Sequence, residues 1–105
     1  MKTIENKKDY DKLMKQDKPV LLDFYADWCG PCQTLLPTVD KLSKDFDGKI
    51  EIQKVNVDHN RELAAKFGVR SIPALFFIKN SEIVDRTNGL QTEVILREKL
   101  KALLN

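Results

Sequence analysis

The run PVLLDFYA, from Pro19 to Ala26, constrains the fold more than any other stretch of this sequence. A strand with one face in water alternates apolar and polar side chains, whereas a strand covered on both faces reads as near-continuous apolar residues. Here only Asp23 interrupts the run. Helices on both faces are the usual cover for such a strand, which puts the chain in the α/β class. The flanking segments agree. Asn6 can cap a first helix reaching about Gln16, with Tyr10, Leu13 and Met14 on one face, and Pro19 marks the exit into the strand. Beyond the run, Leu35, Val39, Leu42 and Phe46 recur at helical spacing, so a long amphipathic helix begins near Cys29 and ends before Gly48. Pro37 lies inside it, where a proline removes one hydrogen bond and crowds the carbonyl of Gln33, so a kink is expected. KIEIQKVNVD then reads as a strand and NRELAAKFG as a short helix closed by Gly68. PALFFIK and EIVDRT read as two strands joined tightly through Asn80 and Ser81, and a last helix carries Leu96, Leu100, Leu103 and Leu104. With a short first strand at Lys2 to Ile4 the order is βαβαβαββα.

A chain of 105 residues is one ordinary domain, spanning residues 1–105, and can bury a core without a disulfide staple or a metal. With 42% hydrophobic and 32% charged residues and no repeat or low-complexity tract, it falls in neither the disordered nor the fibrous class. The 18 basic and 16 acidic residues are scattered, leaving a net charge of +2 and no basic stripe, so neither nucleic acid nor a membrane surface is an expected partner. The opening MKTIENKKDY lacks the apolar centre of a secretory signal, and the longest apolar runs are too short to cross a bilayer. The expected compartment is the cytoplasm, where a cysteine pair serves catalysis or metal binding more often than structure.

That pair, Cys29 and Cys32, holds the only two cysteines in the chain, in the stretch DWCGPCQ. As a staple it would close a loop worth about 2 kcal/mol in the chain-entropy model, which is little for a domain with a full core. A zinc site wants four ligands, and beyond the cysteines only His59 is on offer; a metal shared between two chains would get round this. A haem attachment would need a histidine where Gln33 stands. The third reading is a reactive dithiol. Cys32 precedes Leu35, Leu36 and Val39 by three, four and seven residues, which turns its sulfur to the buried helix face. Cys29 sits at the helix N-terminus, where unpaired N–H groups and the dipole favour an anion, so an exposed thiolate of lowered pKa is expected. Such a thiol can attack a substrate disulfide, and its shielded neighbour can resolve the mixed disulfide. Pro31 suits the first turn, where its missing N–H has no helical partner.

Asp23 is a charge in a strand that reads as fully buried. Either its carboxylate reaches water or a backbone N–H at the strand end, or it is desolvated with a raised pKa and can take the proton of Cys32, directly or through a water. Lys54 shares strand parity with Ile50 and Ile52, so its stem can lie on a buried face with its ammonium near that carboxylate, or it is an ordinary surface lysine. Pro73 opens a strand, an unremarkable place for a proline, and Trp28 on pattern alone is a core aromatic.

Taken together, DFYADWCGPC, Pro37 eight residues after the first cysteine, KVNVD and GVRSIPALFFIKN closely resemble the thioredoxin family, over nearly the whole chain. The resemblance implies a central mixed five-stranded sheet with four helices on its two faces, the last two strands antiparallel to their neighbours. It implies a nucleophile at Cys29, a resolving thiol at Cys32, a buried proton acceptor at Asp23 with Lys54 beside it, and a cis peptide between Ile72 and Pro73 facing the cysteines. Trp28, Gly30, Pro31, Ile72, Pro73 and Gly89 would form a flat apolar contact surface for the substrate protein. The implied activity is reduction of protein disulfides by a monomer that binds no cofactor or metal and is recharged by an NADPH-dependent flavoprotein, thioredoxin reductase. A disulfide oxidase or isomerase on the same fold, or a redox-silent binding subunit, are the alternatives. Two positions depart from the family pattern: Tyr25 stands where many members have tryptophan, and Ser81 where the turn usually has glycine. Neither is expected to touch the redox chemistry, and Ser81 suggests a different turn type.

Overall fold

Residue identities account for where each element begins and ends in the computed structural model, which describes residues 1–105. Strand β1 (Lys2–Ile4) leads to helix α1 (Lys7–Lys15), whose N-cap Asn6 accepts the Asp9 N–H at 3.0 Å. Strand β2 (Val20–Tyr25) is buried at all six positions, as a strand covered on both faces must be. Helix α2 (Gly30–Asp45) starts directly after Cys29 and continues through Pro37. Strand β3 (Glu51–Asn56) and helix α3 (Arg61–Lys66) follow, and Gly68 takes the left-handed conformation, φ +66°, that stops α3. Strands β4 (Ala74–Lys79) and β5 (Glu82–Asn88) form the hairpin through Asn80 and Ser81, and α4 (Glu93–Leu103) closes the chain. No helix is long and apolar enough to cross a membrane.

The sheet order is β1-β3-β2-β4-β5. β3 runs parallel to β1 and β2, while β4 is antiparallel to both β2 and β5. This mixed sheet matches the α/β architecture expected from the sequence. Each face has its own core. Val20, Leu22, Phe24, Phe76 and Ile78 pack with Tyr10, Leu13 and Phe67 of the α1–α3 side. Leu21, Ile52, Leu75 and Phe77 pack with Leu35, Val39 and Leu42 of α2 and with Leu96, Leu100 and Leu103 of α4. Leu104, grouped with that face by spacing, is instead the exposed C-cap of α4, because the helix ends one residue earlier and its last turn leaves the core.

Parity along β2 decides where the chemistry lies. Leu21, Asp23 and Tyr25 point to the α2–α4 face, so the one acid in the central strand is aimed at the helix that carries the cysteines.

Candidate redox site

Cys29 and Cys32 form a disulfide where β2 gives way to α2. The local backbone explains the geometry. Cys29 N–H donates to the Ala26 carbonyl at 3.2 Å, folding the turn after β2, and Gln33 ties the same carbonyl through its side-chain amide at 3.3 Å. Cys29 is the N-cap of α2: its extended backbone brings Sγ to the Cys32 N–H at 3.2 Å, filling the place that a serine or aspartate oxygen takes in other helices. Pro31 occupies the first turn, where no N–H is missed. Gly30 and Pro31 are exposed, and a Cβ at Gly30 would meet nothing within 4 Å, so the roof over the disulfide is open.

The two cysteines are unequal but both are buried. Cys32 is 1% exposed and Cys29 5%, which corrects the expectation of an exposed first thiol. Tyr25 and Ala26 pack against the pair with Val57 and Ile72, and these apolar neighbours cover Cys29 from the sheet side. The Ile72–Pro73 peptide is cis, and the Ile72 carbonyl oxygen stands 3.9 Å from Cys29 Sγ. Pro73 is buried and Ile72 half-buried. Gly89, at φ +79°, donates its N–H to the Pro73 carbonyl at 2.8 Å, which holds the loop after β5 against the cis-proline loop.

Trp28 is 72% exposed, not a core aromatic. Its indole N–H donates to Asp58 at 2.8 Å, and the Asp58 N–H in turn donates to the side-chain carbonyl of Asn56 at 2.9 Å, so the ring is fixed beside the cysteines with a face open to solvent. The structure therefore brings Trp28, Gly30, Pro31, Ile72, Pro73 and Gly89 together around the disulfide. Asp58 and Asn56 are positions that sequence reasoning passes over. Both lie in KVNVD, but a polar residue after a strand has no feature of its own that marks a partner thirty residues away.

Asp23 is 1% exposed, and neither carboxylate oxygen has a hydrogen-bond partner. Burial pushes its carboxyl up to about 7, against a smaller opposing pull from the Lys54 charge. The reading in which the carboxylate reaches water at the strand end is overturned: Asp23 pairs in mid-sheet with Lys54 of β3 on one side and Leu75 of β4 on the other. Lys54 is half-buried on the same face, with its ammonium 5.2 Å from the centroid of the Tyr25 ring. Tyr25 is thus no bystander to the site. It packs on both cysteines and carries Lys54 on its ring, and burial together with the Asp27 charge pushes its phenol above the ordinary range. No group of three or more histidine, cysteine, aspartate or glutamate side chains converges as a metal site would require.

The comparisons with known proteins agree with this geometry. The family model described as Thioredoxin matches residues 1–102. A thioredoxin of Rickettsia bellii is 40% identical over 95 residues, covering 90% of each chain, and one of Haemophilus influenzae is 49% identical over 80 residues, covering 75% of each. Among solved structures, a mutant thioredoxin from Halobacterium salinarum superposes with a TM-score of 0.91 at 35% identity, covering 99% of this chain and 90% of its own. A cysteine pair capping a helix beside a cis-proline, on a sheet and sequence shared with these proteins, makes the chain a member of the thioredoxin family and a thiol–disulfide oxidoreductase.

Proposed function

We propose that this single domain reduces protein disulfides through Cys29 and Cys32, with the roles divided by their surroundings. The observation that carries the reading is the placement of one sulfur as a helix N-cap under an open roof, with the second sulfur buried behind it. In the reduced protein the Cys29 thiolate is favoured by the N-terminus of α2 and by the Cys32 N–H. It attacks one sulfur of the substrate disulfide, a bond forms between Cys29 and that sulfur, and the other substrate sulfur leaves as a thiolate that takes a proton from solvent. Asp23, a carboxylate buried on the same sheet face, takes the Cys32 proton directly or through a water. The Cys32 thiolate attacks Cys29 Sγ and expels the second substrate thiolate, which leaves the Cys29–Cys32 disulfide and a dithiol substrate.

Trp28, Gly30, Pro31, Ile72, Pro73 and Gly89 form the contact surface, and the Ile72 backbone pairs with an extended stretch of the substrate. Two electrons from NADPH return through a flavoprotein thioredoxin reductase to the disulfide. The protein acts as a monomer in the cytoplasm, the compartment expected from its sequence. Cys32→Ser tests the division of labour. After incubation with insulin it should hold the substrate on Cys29 as a stable adduct visible by mass spectrometry, while Cys29→Ser should hold on the order of tenfold less. Adducts mainly on Cys32 of the second variant would reverse the roles, and absence of NADPH-coupled insulin turnover by the unaltered protein would sink the reductase reading.

A further inference from the structure

Lys54 is the only cation paired in register with Asp23, yet its ammonium makes no ion pair and no hydrogen bond, and both Asp23 oxygens are unpartnered. What it does have is the Tyr25 ring, with Nζ 5.2 Å from the centroid. Tyr25 and Asp23 are two residues apart on β2, and Lys54 and Asn56 are two apart on β3, all four on one face of the sheet. The ring is 7% exposed and packs on Cys29 and Cys32, so it cannot follow Lys54 if the side chain swings. A flexible lysine stem that is half in water leaves for water unless something holds its head. We propose that Tyr25 is a positioning residue for the redox reaction: its ring face holds the Lys54 ammonium within electrostatic reach of Asp23, and so sets the pH at which that carboxylate exchanges its proton with Cys32.

The surrounding groups leave this task to the ring. On the face shared with Asp23, α2 contributes Cys32 and Asp40, with Cys29 as its N-cap, and Asp40 is paired with the Met1 ammonium at 3.7 Å and with the Lys44 ammonium at 3.3 Å. From β4 the register partner is the apolar Leu75, and β3 supplies Lys54 alone as a cation. Beyond burial, Asp27, Asp23 and Glu5 raise the Tyr25 phenol, and neither Asp27 nor Glu5 makes an ion pair with Lys54. A cation over a desolvated aromatic face is attracted to the ring quadrupole, which fits a site that has no carboxylate bonded to the ammonium.

The inference rests on Asp23 being the proton acceptor, and its test is made on the disulfide form, where no thiol titrates and activity plays no part. The midpoint of Asp23 is followed by carboxyl carbon NMR, its signal assigned by loss in Asp23→Ala. Tyr25→Leu should raise the midpoint by about half a pH unit or more as the ammonium relaxes into water, a shift in the range one cation–π contact can supply. Tyr25→Phe, which keeps the ring, should leave it in place. In a Lys54→Met background, Tyr25→Leu should cause no upward shift, because the charge it releases is already gone. An equal shift in both backgrounds, or a downward one in the Lys54 background, would overturn the proposal and make Tyr25 a mere shield. Should Tyr25→Leu not fold, the unaltered protein decides: the ε-methylene protons of Lys54 should resonate upfield of free lysine from the ring current, and free-lysine shifts would equally overturn it. Failure of the proton-acceptor reading appears separately, as Asp23→Ala turning over insulin at the wild-type rate across pH, and failure of the reductase reading as absence of insulin turnover by the unaltered protein.

Discussion

Three buried side-chain oxygens lack a hydrogen-bond partner, two on Asp23 and one on Thr87. They lie in one row across the sheet, Asp23 beside Leu75 and Leu75 beside Thr87, but only the first has chemistry to justify its cost. An unsatisfied hydroxyl in the interior costs on the order of 1–3 kcal/mol, so Thr87→Val, which keeps the shape, should raise the stability by about 1 kcal/mol with turnover unchanged. The urea midpoint reads this directly, and a lower midpoint would show that the hydroxyl holds a buried water after all. The contrast marks what a sequence can reveal at this scale. Asp23 stands out because a charge breaks an apolar run, whereas Thr87 is an ordinary strand residue in EIVDRT whose burial depends on what is laid over it. Trp28 differs from its pattern for the same kind of reason: its exposure is set by Asp58, which reaches it from another loop.

The hairpin between β4 and β5 turns on two residues with left-handed backbone, Asn80 at φ 53° and Ser81 at φ 65°. A two-residue connection with positive φ at both positions is the type I′ form, whose twist suits a hairpin and whose second position favours glycine. Serine there carries a steric cost of roughly 1–2 kcal/mol that glycine avoids, less the entropy glycine loses on folding. Ser81→Gly should therefore stabilise the protein by about 0.5–1 kcal/mol in thermal or denaturant unfolding, and Ser81→Val should destabilise it by at least as much. A neutral Ser81→Gly would mean that the turn relaxes without cost. The elements themselves are legible in the sequence because their signals are local: Asn6 caps α1, Gly68 stops α3, and apolar spacing outlines α2 and α4. Leu104 escapes such a reading because spacing tells which side a residue would face, not the residue at which the helix stops.

For the molecule as a whole, Asp23 makes stability depend on pH in a direction opposite to that of an ion-paired carboxylate. In the unfolded chain its pKa is near the usual value of about 3.9, and in the fold about 7. Below about pH 4 both states hold the proton and the residue costs nothing in this respect. Between the two values the unfolded state releases its proton while the folded state keeps it, so stability falls as pH rises, and above about pH 7 the full cost of roughly 4 kcal/mol remains. The stability advantage of Asp23→Ala over the unaltered protein should accordingly grow by about 2–4 kcal/mol between about pH 4 and pH 8, and a gap independent of pH would place the carboxylate in water. The strand order has a different consequence. A cut in the exposed segment at Gly48 would leave β1 and β2 on one fragment and β3, β4 and β5 on the other. β1 and β2 do not touch, since β3 lies between them, so every sheet pairing available to the first fragment crosses the cut. Residues 1–48 should be unstructured alone and fold only on meeting residues 49–105, in a one-to-one reassociation whose rate rises with concentration. For this protein, becoming one sheet would then be a bimolecular reaction.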